Sequence, residues 1–114
     1  MCIDPVNVLA INLEKDKFVR ESVYELVSEL KSMGVTSLLS VETTEGSMDG
    51  NYLGNDDLRT QMLKFLADAI INLYSSGLGG STDRAIRIEK MRRVNHARGP
   101  KPLKITDKGI VVLK

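Results

Sequence analysis

The chain has 114 residues, enough for one modest hydrophobic core in a single domain. With 42% hydrophobic and 27% charged residues and a formal net charge of +1, it belongs with ordinary globular proteins, which excludes a disordered polyelectrolyte. That balance also gives no overall pull toward nucleic acid or a membrane surface.

The chain opens on an apolar strand, Met1 to Ile3, that runs directly into Asp4 and Pro5, with little lead-in. This abrupt start is expected for a sequence whose preceding part is missing. Cys2 is the single cysteine, so no internal disulfide can form, and a reducing, cytoplasmic setting is expected. Its place in an apolar run reads as a small buried hydrophobe. No apolar stretch reaches the ~18 residues of a membrane helix, and the first residues lack the basic-then-apolar pattern of a signal peptide.

Lys17 to Met33 is the clearest helix. Val19, Val23, Leu26, Val27 and Leu30 recur at spacings of three and four and form one apolar stripe, with Asp16 as N-cap and Gly34 as the C-terminal stop. Glu25, Glu29 and Lys31 fall off the stripe and read as a solvated face. Thr36 to Val41 reads as a buried parallel strand with Glu42 and Thr43 at its C-terminal end. Thr43 to Asp57 is rich in Gly, Ser, Asn and Asp and reads as a loop or lid of about fifteen residues, a length usually tied to function.

A short helix from about Asp57 to Leu66 leads into a strand from Ala69 to Tyr74. Gly77, Gly79 and Gly80 form a turn, and Ala85 to Met91 alternates Ile86 and Ile88 with Arg87 and Glu89, as a half-exposed strand does. Pro100 and Pro102 mark another turn. Leu103 to Thr106 and Gly109 to Leu113 close the chain as a hairpin around Asp107 and Lys108. A strand, a helix and a second strand imply a parallel pair with a right-handed crossover, and the short terminal strands imply antiparallel pairing. The expected fold class is α/β with a mixed sheet.

The chemistry that can be excluded is extensive. The P-loop pattern of Gly, four residues, Gly, Lys and Ser or Thr does not occur, and Gly77 to Gly80 has no lysine at the required place. One His and one Cys cannot supply a zinc site, and no serine lies in a nucleophile elbow. Two constellations remain. Asp4 follows an apolar strand, where open α/β sheets bind ligands and a carboxylate can hold magnesium-bound water; it equally reads as a strand-end turn cap. Lys90, Arg92, Arg93, His96 and Arg98 form a basic group in which alternation places Lys90 and Arg92 on one face. An ammonium and a forked guanidinium there can grip a phosphate, or both can simply be solvated charge.

The run Ala85 to Arg92, with His96 four residues on, resembles the strand of KaiC-like ATPases that reads K-M-R-G followed by a histidine. "MCIDPVNVL" resembles the family's Walker B strand, and "VRESVYELVSELKSMGVTSLLSVE" its next helix and strand. "FLADAIINLY" resembles the "ADGVI-L" strand, and "KPLKITDKGIVVL" the terminal hairpin. The similarity covers nearly the whole chain, in one order. It implies residues 1–114 as one domain, a partial RecA-type P-loop NTPase core running from the Walker B strand to the C-terminal hairpin.

The resemblance implies ATP and Mg2+ as cofactors, with Asp4 at the Walker B position that holds the metal. Glu42 falls near the strand-end γ-phosphate sensor, and Lys90, Arg92 and His96 match residues that reach the nucleotide of an adjacent subunit. Arg93 departs from the glycine that follows K-M-R, and the loop from Asp49 to Asp57 corresponds to a pore-facing region. The family's P-loop half would precede Met1. A core without it implies a lost central strand, no ATPase activity alone, and association with a second copy or a P-loop-bearing homologue. Two other readings stay open: a nucleic-acid-binding module like the RecA and RadA paralogues, and a subunit that serves assembly only.

Overall fold

The computed structural model describes residues 1–6, 16–42, 58–75, 80 and 83–113. The elements follow in the order β1 (Cys2–Ile3), α1 (Asp16–Ser32), β2 (Leu38–Leu39), α2 (Leu58–Leu66), β3 (Ala69–Ser75), β4 (Arg84–Met91), β5 (Lys101–Thr106) and β6 (Gly109–Val112). This is the order expected from the sequence. The parallel and antiparallel pairings of the expected α/β class are both present. The chain divides into two compact units, Met1–Ala67 and Asp68–Lys114.

In the first unit β1 pairs parallel with β2, Cys2 opposite Leu38 and Ile3 opposite Leu39. The expected strand from Thr36 to Val41 narrows to Leu38–Leu39, although hydrogen bonds from the Met1 ammonium to the Thr36 carbonyl and from Ser40 N–H to the Ile3 carbonyl continue the ladder on both sides. The stripe of α1 is buried as its spacing requires: Val19, Val23 and Val27 form a cluster with Val6 and with Leu63 of α2. Leu30 is also buried, and Ile3, Leu26, Leu39 and Val41 pack partly against the cluster. Glu25, Glu29 and Lys31 are exposed. Gly34, at φ 65°, ends α1 in the left-handed conformation that a residue without a Cβ adopts at little cost.

One expectation fails here. Cys2 is exposed, as is its partner Leu38 at 66%. Successive residues of a strand face opposite sides, so Ile3 and Leu39 take the core side and leave Cys2 and Leu38 on the bare one. An apolar run alone cannot tell which side will be covered.

The second unit is a four-stranded antiparallel sheet in the order β3-β4-β5-β6. The hairpin of β5 and β6 turns at Asp107 and Lys108 as expected, with Thr106 opposite Gly109 and the Thr106 hydroxyl donating to the Gly109 carbonyl at 2.9 Å. Pro102 lies within β5, opposite Ala85, rather than in a turn. Its carbonyl accepts from Leu113 N–H at 2.8 Å, and a proline needs only its acceptor to hold that place. The loop from Thr43 to Asp57, with its pore-facing stretch, and Gly77 and Gly79 lie outside the described residues.

Between β3 and β4 the register shifts. Ile70 faces Lys90 and Ile71 faces Ile88, so Glu89 is an extra residue on β4, a β-bulge. Ile86 and Ile88 therefore share a face with Leu73 and Ile71, while Lys90 lies on the opposite face with Ile70. Strict alternation would have put Ile86, Ile88 and Lys90 together. On the face of Ile71 and Leu73 the register also sets Leu103, Ile105, Ile110 and Val112, of which all but Leu103 are exposed.

Candidate functional site

Asp4 and Glu42 follow the C-terminal ends of the paired strands β1 and β2. The Asp4 carboxylate accepts a hydrogen bond from the Ser40 hydroxyl, and Ser40 is in turn held by its own N–H to the Ile3 carbonyl and by its carbonyl to Val6 N–H at 2.8 Å. The sequence reading missed Ser40. Its signal was available in a hydroxyl residue directly after the apolar pair Leu38–Leu39, at the end of a strand parallel to the one that ends at Asp4. Glu42 is exposed, two residues beyond Ser40.

Among the described residues no group of three or more His, Cys, Asp or Glu is placed to hold a metal. One carboxylate with one hydroxyl suits Mg2+ of a particular kind, since magnesium dehydrates reluctantly and is commonly held by one or two carboxylates together with substrate phosphates. Asp4 and Ser40 fit a metal that arrives on a nucleotide and do not form a cage of their own.

Lys90, Arg92 and His96 belong to the second unit. Lys90 is the half-buried penultimate residue of β4, and Arg92 follows the strand. Pairing with β5 is confined to Arg84, Ala85 and Ile86, so this end of β4 is paired with β3 alone. Arg92 N–H donates to the Asp68 carbonyl at 2.8 Å, extending the β3–β4 ladder by one step past Ala69 and Met91. Lys90 and Arg92 therefore lie on one face, as alternation implied. Glu89 does not lie on the other. Its carboxylate accepts from the Asn72 amide at 2.5 Å, and Asn72 shares the face of Ile70 and Lys90. The bulge is the reason, because an inserted residue breaks the alternation that sequence spacing assumes.

The Arg92 guanidinium is ion-paired to the Asp68 carboxylate at 3.2 Å. Arg93 follows at φ 62°, a left-handed conformation that costs a residue with a Cβ. Glycine, which the K-M-R-G pattern has at this place, takes such a conformation at little cost. His96 is half-buried, and its Nδ1 lies 3.1 Å from the Ala97 carbonyl. Since a carbonyl can only accept, that contact is a hydrogen bond when Nδ1 carries the proton. From Lys90 to Lys104 the sequence has six Lys or Arg and no Asp or Glu. Asp68 is an acid that the fold brings against this run.

The family model described as "ATPase: KaiC" matches residues 1–114. The chain belongs to the KaiC ATPase family. It is 29% identical over 108 residues to the circadian clock oscillator protein KaiC of Synechococcus elongatus, covering 95% of this chain and 20% of that protein. It is 32% identical over 114 residues to a UPF0273 protein of Aeropyrum pernix, covering 98% of this chain and 41% of that one. Among solved structures it is similar to a KaiC-like protein of Pyrococcus horikoshii, with a TM-score of 0.74, 27% identity, and coverage of 99% of this chain and 46% of that one. The chain thus spans less than half the length of these relatives. Among the described residues no helix is long and apolar enough to cross a membrane.

Proposed function

We propose that this KaiC-family chain does not hydrolyse ATP by itself and contributes Lys90 and Arg92 in trans to an ATP site that a P-loop-bearing homologue completes. The observation that carries the reading is the pairing of Lys90 and Arg92 on one face at the end of β4, inside a run of cations that contains no acid. A compact ammonium and a planar fork of N–H donors are complementary means of neutralising a terminal phosphate. A cation supplied in this way can be worth roughly 10³ to 10⁵ in rate.

In this reading Asp4, steadied by Ser40, holds water on the nucleotide's magnesium, and Glu42 senses the terminal phosphate. By the same resemblance His96 joins Lys90 and Arg92 toward the partner's nucleotide. Nothing in the sequence can cradle the β- and γ-phosphates, which is why turnover needs the partner. The exposed apolar face of Ile71, Leu73, Ile105, Ile110 and Val112 supports assembly with a second copy or with the homologue.

The test is ATP hydrolysis by a P-loop-bearing KaiC-like protein with and without this chain. The chain alone is expected to show background turnover, and its addition is expected to change the partner's rate. The double variant Lys90→Ala with Arg92→Ala should abolish that change and keep the parent's circular dichroism. Modulation by the double variant equal to the parent's would overturn the reading.

The cation run from Lys90 to Lys104 favours nucleic-acid binding as a second reading. It requires an affinity for DNA or RNA that falls steeply as salt rises.

A further inference from the structure

Asp68 is the acid of the "ADGVI-L"-like strand, and the proposed function leaves it without a role. It meets Arg92 twice, its carbonyl accepting from Arg92 N–H at 2.8 Å and its carboxylate accepting from Arg92 Nη1 at 3.2 Å. We infer that Asp68 is a positioning residue, which fixes the turn after β4 and aims the Arg92 guanidinium at a phosphate across a subunit boundary. The inference rests on the trans-acting reading above.

Three observations carry it. First, the ion pair is open to solvent, with the Arg92 and Asp68 side chains 47% and 64% exposed, and exposed pairs contribute little to folding. Its value lies in orientation. Second, Arg92 stands among like charges. Lys90 shares its face and Arg93 is its neighbour, so an untethered arginine would be driven outward by repulsion and would sample its many rotamers. Third, the Asp68 carboxylate is met at Nη1, and a planar fork of N–H donors can serve a carboxylate on one edge and a phosphate on another. The two Asp68 contacts also hold the backbone just before Arg93 enters its left-handed conformation.

The contrast with Arg93 makes the inference specific. Arg93 is exposed and has no hydrogen-bonded or ion-paired side-chain partner among the described residues. Two adjacent arginines therefore differ in preparation, and only Arg92 is held.

The experiment has two arms. In the first, ¹⁵N relaxation of the arginine Nε–H groups is recorded on the chain alone. Arg92 is expected to be clearly more ordered than Arg93, and to lose that order in Asp68→Asn with no change in melting temperature. An Arg92 as mobile as Arg93 in the parent overturns the inference without any variant. In the second arm the variants are added to the P-loop-bearing homologue. Asp68→Asn should weaken the effect on hydrolysis on the order of tenfold or more, as expected when a reacting group is misplaced by about an ångström. Asp68→Glu, which keeps the charge, should restore part of it. If Asp68→Asn acts like the parent while Arg92→Ala is inert, the positioning role is wrong and the trans-acting reading stands. If Arg92→Ala acts like the parent, both are wrong.

Discussion

The side-chain amide of Asn72 donates to the Glu89 carboxylate at 2.5 Å, across the point where β4 carries one residue more than β3. The bulge residue, which has no residue directly opposite it, is thus tied to the other strand through its side chain. Replacing Asn72 with Leu removes the donor and leaves a part-buried carboxylate poorly solvated. The expected cost is about 1 kcal/mol, read as a lower urea midpoint. Removing both partners in Asn72→Leu with Glu89→Leu should recover part of that loss. A double variant whose loss equals the sum of the two single losses would show that the pair does not couple.

A second expectation concerns Arg93, at φ 62° and exposed. Glycine there relieves a left-handed strain of roughly 1 kcal/mol, offset in part by the greater freedom of glycine in the unfolded chain. Thermal melting should rank Arg93→Gly above Arg93→Asn, and both above Arg93→Ala. If Arg93→Ala melts as high as Arg93→Gly, relief of charge and not of backbone strain is responsible.

The core of the first unit should respond in the ordinary way. Val23→Ala, in the cluster with Val6, Val19, Val27 and Leu63, is expected to cost about 2 kcal/mol, from lost transfer free energy and a residual cavity. Glu25→Ala, on the exposed side of the same helix, should change stability by less than about 0.5 kcal/mol. Chemical denaturation of both variants measures the contrast, and equal losses would mean that the stripe of α1 is not the buried one.

The exposed face of the antiparallel sheet sets a fourth expectation. Leu73 is 73% exposed and Ile110 is 70% exposed, and the register puts both on one side. Exposed apolar side chains gathered on one face of a sheet favour association. Light scattering across micromolar concentrations should show assemblies larger than one chain, and Leu73→Lys with Ile110→Lys should shift them toward the monomer. A parent that is monodisperse and monomeric would count against this.

Periodicity gave most of the architecture. The stripe from Val19 to Leu30, the stop at Gly34 and the hairpin at Asp107 and Lys108 are local features, encoded by spacing and by residues with special backbone freedom. What spacing could not show was anything that depends on a partner strand. Cys2 looked buried because an apolar run does not say which face is covered, and Pro102 looked like a turn because its acceptor role is invisible in one dimension. The bulge at Glu89 is the clearest case. Counting by twos put Ile86, Ile88, Lys90 and Arg92 on one face, and one extra residue moved the basic pair to the other. The contacts of Asp4 with Ser40 and of Arg92 with Asp68 were likewise hidden, since their partners lie 36 and 24 positions apart. Nor does the K-M-R-G-like pattern, read as chemistry, show that Arg93 takes a φ of 62°, a conformation that favours glycine.

The hydrogen bond from the Met1 ammonium to the Thr36 carbonyl, at 2.8 Å, bears on how this protein can be engineered. A peptide N–H at the same place would donate to the same carbonyl. Polypeptide fused ahead of Met1 exchanges one ammonium charge for an amide and can keep this hydrogen bond. That makes the start of β1 a natural splice point for building chimaeras in which this chain is joined to donor sequence from a longer relative.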